Sequence, residues 1–490
     1  MPVGPTSAQM NEGPRRPSLA GQGALSAASV AVQGLSRLLT SLLIGRLAGP
    51  AVLGAVMSAI AVAQIAVLCG PGALGSAASK FVARARGAGL PEERAAVLAQ
   101  LSRLTLIATV CLLAVATPTW WFVSDGDARG LIGIVVLVTG YAGYSFVRGV
   151  YYGSGDILKA TRWDVAASSI ALVGVLVSLV AGVRSTLLIL PMAGAYLLFA
   201  LAGWPYRARG RTEKQLGREI SGFVGLATIG TLAGAGFLQA SVVLARVTEG
   251  QVGAGQYAAA LALATPGSLV AAALSLVLYP SMSAAFGRGD HASIRRQTDL
   301  ATRWLSLVMV AVFGALALSS ELIVSAVWGE QFRRASDVLP LLLCGVLATT
   351  LAVPSVNSLT SRNQKGMATG TGISLAGLLV GGVVWLVAVP RFGIIAVAGG
   401  YLAAAVTTCV VALALASRRE GLSWSGLALR LTSASVVLIG LGLLQQREPV
   451  ALWQGPALSA AFCVLWLAGN VRELPLARRQ LRKLWRDRRR

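Results

Sequence analysis

The stretch SVAVQGLSRLLTSLLIGRL, residues 29–47, decides how this chain is read. It has the apolarity and length of a membrane-crossing helix, yet an arginine, Arg37, stands near its middle. Arg46 marks the outer end of the span, nine residues on, which puts Arg37 about 13 Å deep, in hydrocarbon. An arginine at the centre of a span costs roughly 2.5–3.5 kcal/mol on insertion scales. Such a residue belongs in a watery cavity or against a partner, and the rest of the sequence has to say which.

The surrounding chain is built for a membrane. Of its 490 residues, 55% are hydrophobic and 12% charged, and the mean hydropathy is +0.71. A soluble domain carries about a quarter charged residues. Apolar runs of membrane length recur at 20–45, 51–71, 99–122, 131–152, 163–183, 185–204, 220–246, 253–280, 301–325, 338–360, 367–389, 393–416, 429–445 and 451–469. The runs are continuous, not alternating, which speaks against a β-barrel. The expected fold is an all-α polytopic membrane protein of about 14 transmembrane helices.

The spans fall into two copies. IGRLAGPAVLG closes span one and LARVTEGQVGAGQY closes span seven, with Arg46 and Arg246 in register 200 residues apart. LPMAGAYLLFA matches AVAGGYLAAAV, setting Tyr196 against Tyr401, and GDILKATRWD corresponds to RNQKGMATG. An even number of spans per copy implies a parallel repeat about the membrane normal, framing a central cavity. The expected organisation is a polar tail at 1–18, a six-span N-lobe at 19–206 and a basic linker at 207–219. A six-span C-lobe at 220–418, two extra spans at 419–470 and a basic tail at 471–490 follow.

The net charge of +23 has a membrane explanation. Most of the 42 Lys and Arg fall in the tails and in the loops on their side, including the segment 148–162. The opposite loops hold few, among them Arg46, Arg129, Arg184 and Arg246. This asymmetry places both termini in the cytoplasm, with no need for nucleic acid. The tail LARRQLRKLWRDRRR, 476–490, reads as a basic helix resting on anionic lipid.

Catalytic chemistry is hard to place. There is one histidine, His291, in a charged loop, and the five cysteines stand singly in apolar segments as small buried hydrophobes. No metal cluster, cofactor motif or Walker A sequence is present in the sequence. The glycine pairs Gly230/Gly234 and Gly377/Gly381 serve helix packing. The outward loops are short, so an enzyme such as a glycosyl transferase is not expected. Acidic residues avoid the span centres: Asp164 and Asp299 read as cytoplasmic helix ends, and Glu321 as the outer part of span nine. The candidate substrate-binding residues are therefore Arg37, with Gln33 one turn earlier on the same face, and Gln64, Gln239 and Asn357. A guanidinium is permanently charged and offers forked donors to a phosphate. The substrate head is expected to be anionic, with pyrophosphate the favoured group.

Several stretches together resemble a known group. LSRLLTSLLIGRLAGPAVLG at 35–54, GQYAAALAL at 255–263, VWGEQFRRASDVLPLLL at 327–343 and VPRFGIIAVAGGYLAAAV at 389–406 are similar to the polysaccharide-transport, Wzx-type branch of the multidrug/oligosaccharidyl-lipid/polysaccharide flippase superfamily. The resemblance spans roughly residues 20–420. It implies two six-helix lobes, two further helices and translocation of undecaprenyl-pyrophosphate-linked oligosaccharide for O-antigen or related lipopolysaccharide biosynthesis. In related lipid II flippases first-span arginines meet the pyrophosphate, a role the resemblance extends to Arg37. A polysaccharide polymerase is a candidate partner. Many relatives carry an Asp in span seven; Ser241 stands here, which removes the usual coupling carboxylate from that helix. The alternative function is a drug/toxin-type cation-coupled antiporter, against which the sequence offers no central carboxylate.

Overall fold

A computed structural model describes residues 19–471, except 125, 363 and 448–453. The tail 1–18 and the basic segment 476–490 lie outside the described residues. Every regular element among the described residues is helical. Ten helical runs are long and apolar enough to cross a membrane, and two shorter apolar helices follow. Some of these runs contain more than one crossing.

Helix α1 (Leu19–Leu68) is 50 residues long and breaks at Gly49, whose φ of 84° only glycine adopts freely. Beyond the break the chain doubles back, because Ser41 Oγ donates to Met57 Sδ at 3.8 Å. After a second break come α2 (Pro71–Gly87), α3 (Pro91–Val123), α4 (Ala128–Ser154), α5 (Ile157–Val180) and α6 (Leu190–Gly203). The N-terminal lobe thus holds six crossings. Its basic segment 80–103 is mostly helical overhang of α2 and α3 beyond the apolar cores.

The second lobe repeats this plan. Helix α7 (Lys214–Thr231) passes through one π-helical turn, Leu232–Gly236, into α8 (Phe237–Ala264). Helix α8 breaks at Glu249 and Gly250, the latter at φ 66°, and doubles back so that Tyr257 faces Ser241. Ser241/Tyr257 lies close to the place that Ser41/Met57 holds in the first copy, and the second hairpin is one residue longer at its break, Gly250 answering to Gly49. Next come α9 (Pro266–Gly287), α10 (His291–Leu318), the short α11 (Ser320–Trp328), α12 (Ala335–Thr360) and α13 (Gln364–Glu420). A straight α13 would be about 85 Å long, far more than a bilayer core. It breaks at Gly393, and Trp385 Nε1 donates across the break to the Val397 carbonyl at 2.9 Å. Helices α14 (Ser425–Arg447) and α15 (Gln454–Gly469) pack on α10. Among the described residues the ten long runs, several of them broken, and the two shorter helices match the all-α fold of about 14 transmembrane helices expected from the sequence.

The lobes meet at the end of the bundle away from the chain termini. A Cβ on Gly54 would strike the Gln251 carbonyl, and one on Gly255 would strike the Pro50 carbonyl. These are again equivalent contacts of the two copies, so the hairpins cross backbone to backbone. The segment 327–343 covers the crossing. Arg46 Nε donates to the Val327 carbonyl at 2.6 Å and Nη2 to Ala326, capping the last turn of α11. Gln256 Nε2 donates to Gln331 O at 2.8 Å, and Arg334 pairs with Glu249 at 2.7 Å. Arg246, read from the sequence as a loop cation, is buried within α8. All five cysteines are free, but Cys69 and Cys111 are exposed, so the expectation of burial fails for these two.

Substituting Gly54→Ala or Gly255→Ala is expected to destabilise the detergent-solubilised protein by about 1–3 kcal/mol each, the usual cost of overpacking a tight contact. Thermal unfolding followed by tryptophan fluorescence measures it; unchanged melting for both would refute the crossing.

Candidate functional site

Two polar stripes face each other inside the N-lobe. Along α1, Ser29, Gln33 and Arg37 recur every fourth residue and so share one face. Along α4, Tyr141, Tyr144, Arg148 and Tyr152 recur at helical spacing. Helix α5 adds Asp164 and α6 adds Tyr196.

Arg37 lies against the tyrosines. Its Nη2 donates to Tyr141 Oη at 3.2 Å, and the Tyr196 hydroxyl is its other polar neighbour. The Tyr141 and Tyr144 rings stack with centroids 5.8 Å apart, and Tyr196 lies 5.2 and 4.6 Å from them. Arg37 keeps solvent-accessible surface and lines a small internal pocket with Ile60, Gln64, Leu137 and Met192. Among the described residues no carboxylate pairs with it. Its charge is therefore available to a ligand.

Arg148 is different. The Asp164 carboxylate is fully buried and accepts from Tyr144 Oη at 2.9 Å, Arg148 Nε at 3.1 Å and Ser29 Oγ. Gln33 Nε2 donates to Tyr144 Oη at 2.6 Å and extends the network to α1. Arg148 Nη2 reaches Tyr152 Oη at 3.3 Å. The sequence reading assigned Arg148 to a cytoplasmic loop and Asp164 to a helix end. The structure corrects both: Arg148 sits within α4, and Asp164 is 1% exposed inside the N-lobe, eight residues into α5. The pair is neutral as a unit, and each charge is what makes the other's burial tolerable. Its signal in the sequence was the facing stripes, since Ser29 continues the Gln33–Arg37 period and YAGYSFVRGVYY carries a polar residue at each turn.

The network opens on a cleft of ≈ 280 Å³ between α1, α2 and α4. Gln33, Tyr141 and Tyr144 lie on its deep side, toward Arg37, and Arg148 and Tyr152 on the side of the chain termini. Of the five residues expected to bind substrate, Arg37, Gln33 and Gln64 are thus brought together around Tyr141. The other two stand apart. Asn357 is buried in the C-lobe, exchanging hydrogen bonds with Ser275 at 3.1 and 3.2 Å. Gln239 is half-buried just past the π-helical turn and lines neither space. Ser241 donates to Leu238 O at 2.6 Å within its own helix. No grouping of three or more His, Cys, Asp or Glu suited to a metal occurs among the described residues.

The architecture is that of a multi-pass membrane protein, and its fold is shared with solved transporters. A solved structure described as "Lipid II flippase MurJ, inward closed conformation" superposes at a TM-score of 0.67, with 11% identity over 93% of this chain and 99% of that one. A MOP superfamily transporter from Pyrococcus furiosus gives a TM-score of 0.62 at 15% identity, covering 83% and 97%. An inward-facing multidrug resistance MATE family transporter of the MOP superfamily gives 0.62 at 16%, covering 81% and 98%. No curated protein matches the sequence. The lipid II flippase MurJ family matches residues 155–448, more than half of the chain, and the chain belongs to that family. The sequence pointed to a flippase of the polysaccharide-transport branch; the family matched is that of the lipid II flippases. The matched stretch starts after Arg37, Gln33 and Arg148, so the polar face of α1 and α4 is read from this chain alone.

Removing one partner of the buried pair, as in Asp164→Ala, is expected to cost about 3–5 kcal/mol of stability, and the double change Arg148→Met with Asp164→Leu to recover most of it. Melting curves of the single and double variants in detergent measure this. An additive double variant would show that the two charges do not support each other.

Proposed function

We propose that the protein flips a polyprenyl-pyrophosphate-linked saccharide from the inner to the outer leaflet by alternating access, with both termini cytoplasmic. The observation that carries this reading is Arg37, a cation with no carboxylate partner among the described residues, facing an internal space lined by Tyr141, Tyr196 and Gln64. A pyrophosphate is the group such a cation would hold, through charge-assisted bonds that strengthen where water is excluded. Gln33 and Gln64 would then contact the sugar nearest the phosphate, and Gln239 and Asn357 would meet the load only from the C-lobe side. The family match supports a lipid-linked substrate of the lipid II type. A surface-polysaccharide repeat unit, as for O-antigen, is the same chemistry with a different sugar, and a polymerase would be its partner downstream. The basic tail would rest on anionic lipid of the inner leaflet.

Asp164 gives the antiporter reading a carboxylate that the sequence had seemed to lack. It counts for less than its position suggests, because Arg148 already neutralises it. A proton or sodium ion would have to compete with a tethered guanidinium. Cation-dependent dye efflux that tracks expression would favour that reading.

Arg37→Ala is expected to lower flipping at least tenfold, and Arg37→Lys to retain part of it, because lysine keeps the charge and loses the fork. Lipid mass spectrometry of cells carrying each variant at normal protein level reads this as accumulated lipid-linked sugar. The mass identifies the load. No accumulation in either variant overturns the proposal.

A further inference from the structure

The two arginines of the N-lobe differ in one respect that separates their tasks. Arg37 is not neutralised by any described carboxylate, whereas Arg148 is held by Asp164 at 3.1 Å. An anion gains from the first. Beside the second it meets a neutral pair and the negative Asp164 behind it. The cleft next to Arg148 is nonetheless strongly polar. Gln33, Ser76, Ser79, Ser145, Tyr152 and the outer edge of Arg148 supply donors and acceptors around ≈ 280 Å³. Glycines 75 and 149 let α2 and α4 touch backbone to backbone at its floor: a Cβ on Gly149 would strike the Gly75 carbonyl, and one on Gly75 the Ser145 carbonyl. The helices are clamped so closely there that their hydroxyls stand along the cleft wall. The rings of Tyr144 and Tyr152 are packed against Tyr141 and Arg148, which holds the α4 wall of the cleft in place.

We propose that this cleft is the subsite for an uncharged sugar ring, the one joined to the pyrophosphate held at Arg37; the assignment rests on the phosphate reading of Arg37. Hydroxyl, amide and half-satisfied guanidinium groups match a ring that presents hydroxyl or acetamido groups on its edge. Tyr141 borders both spaces, so a ligand can span them without leaving the N-lobe. The neutral Arg148–Asp164 pair makes the subsite selective: it supplies hydrogen bonds to a neutral sugar and no net charge to attract a uronate. A site built for an acidic sugar would leave its arginine unpaired, as Arg37 is.

The test is binding of short-chain analogues to the full-length protein in nanodiscs, read by native mass spectrometry. The probes are farnesyl pyrophosphate, farnesyl-pyrophosphoryl-N-acetylglucosamine and farnesyl-pyrophosphoryl-glucuronic acid. The wild-type protein is expected to bind the N-acetylglucosamine probe about tenfold more tightly than the bare pyrophosphate, and more tightly than the glucuronate probe. In the double variant Ser76→Leu with Ser79→Leu that gain is expected to vanish while farnesyl pyrophosphate still binds, which also shows the variant folded. Arg37→Ala is expected to weaken all three probes. Equal binding of sugar-bearing and bare probes by the wild type overturns the subsite. So does a sugar gain that survives the double variant, or a preference for glucuronate. If Arg37→Ala leaves farnesyl pyrophosphate binding intact, the phosphate reading itself fails, and that result is separate from the ratio that judges the sugar.

Discussion

Hydrocarbon does not tolerate an unpartnered charge, and the interior of the N-lobe is arranged around that constraint. Asp164 is buried beyond reach of water, so its carboxylate collects an arginine and a tyrosine from α4 and a serine from α1. Those bonds tie α1, α4 and α5 together at one level of the membrane. They also set the orientation of Tyr144, and through it of Gln33. The same network that makes the carboxylate bearable therefore aligns the groups lining the cleft. Arg37 escapes the arrangement because it faces open space, and this is why its charge remains usable.

The frame that carries this network is a duplicated hairpin. Each copy starts with a long helix that breaks at a left-handed glycine and folds back, and the two hairpins cross through Gly54 and Gly255. Side chains would hold the crossing apart; their absence lets backbones approach and fixes one end of the bundle. Arg46, Gln256 and Arg334 then fasten the segment after α11 over it. All the polar volume described lies on the other side of this crossing, nearer the chain termini. A transporter that opens to one side at a time needs such a seal, formed by groups that can part without leaving a buried charge alone. Backbone contacts and surface-facing pairs meet that need better than the Asp164 network would.

Much of this was legible in the sequence. Hydropathy runs gave the membrane-spanning helices, because a membrane span leaves a long unbroken apolar signal. The repeat was visible where residues are constrained by geometry, at the Gly-rich turns after Arg46 and Arg246. Arg37 stood out because a lone cation in an apolar run has a known cost. Arg148 and Asp164 were misplaced for the converse reason. They lie near the ends of apolar runs, where charges are ordinary, and nothing in a one-dimensional reading shows that two such ends come together in the interior of a lobe. Asn357 and Gln239 show the limit of reading by depth alone. Being polar at the right height did not bring them to the same face, and Asn357 satisfies itself against Ser275.

One further property of the duplication concerns its asymmetry. With Ser41 matching Ser241, the positions in the second copy that answer to Ser29, Gln33 and Arg37 are Ile229, Ala233 and Phe237. The polar stripe of the first hairpin is thus written in apolar residues in its twin, with Phe237 stacked on Trp385, ring centroids 3.9 Å apart. At these three places the first copy presents a hydroxyl, an amide and a guanidinium, and the second presents methyl groups and an aromatic ring. If the load is held as proposed, its head travels with the first lobe, and this stretch of the second lobe lets it pass without a polar grip.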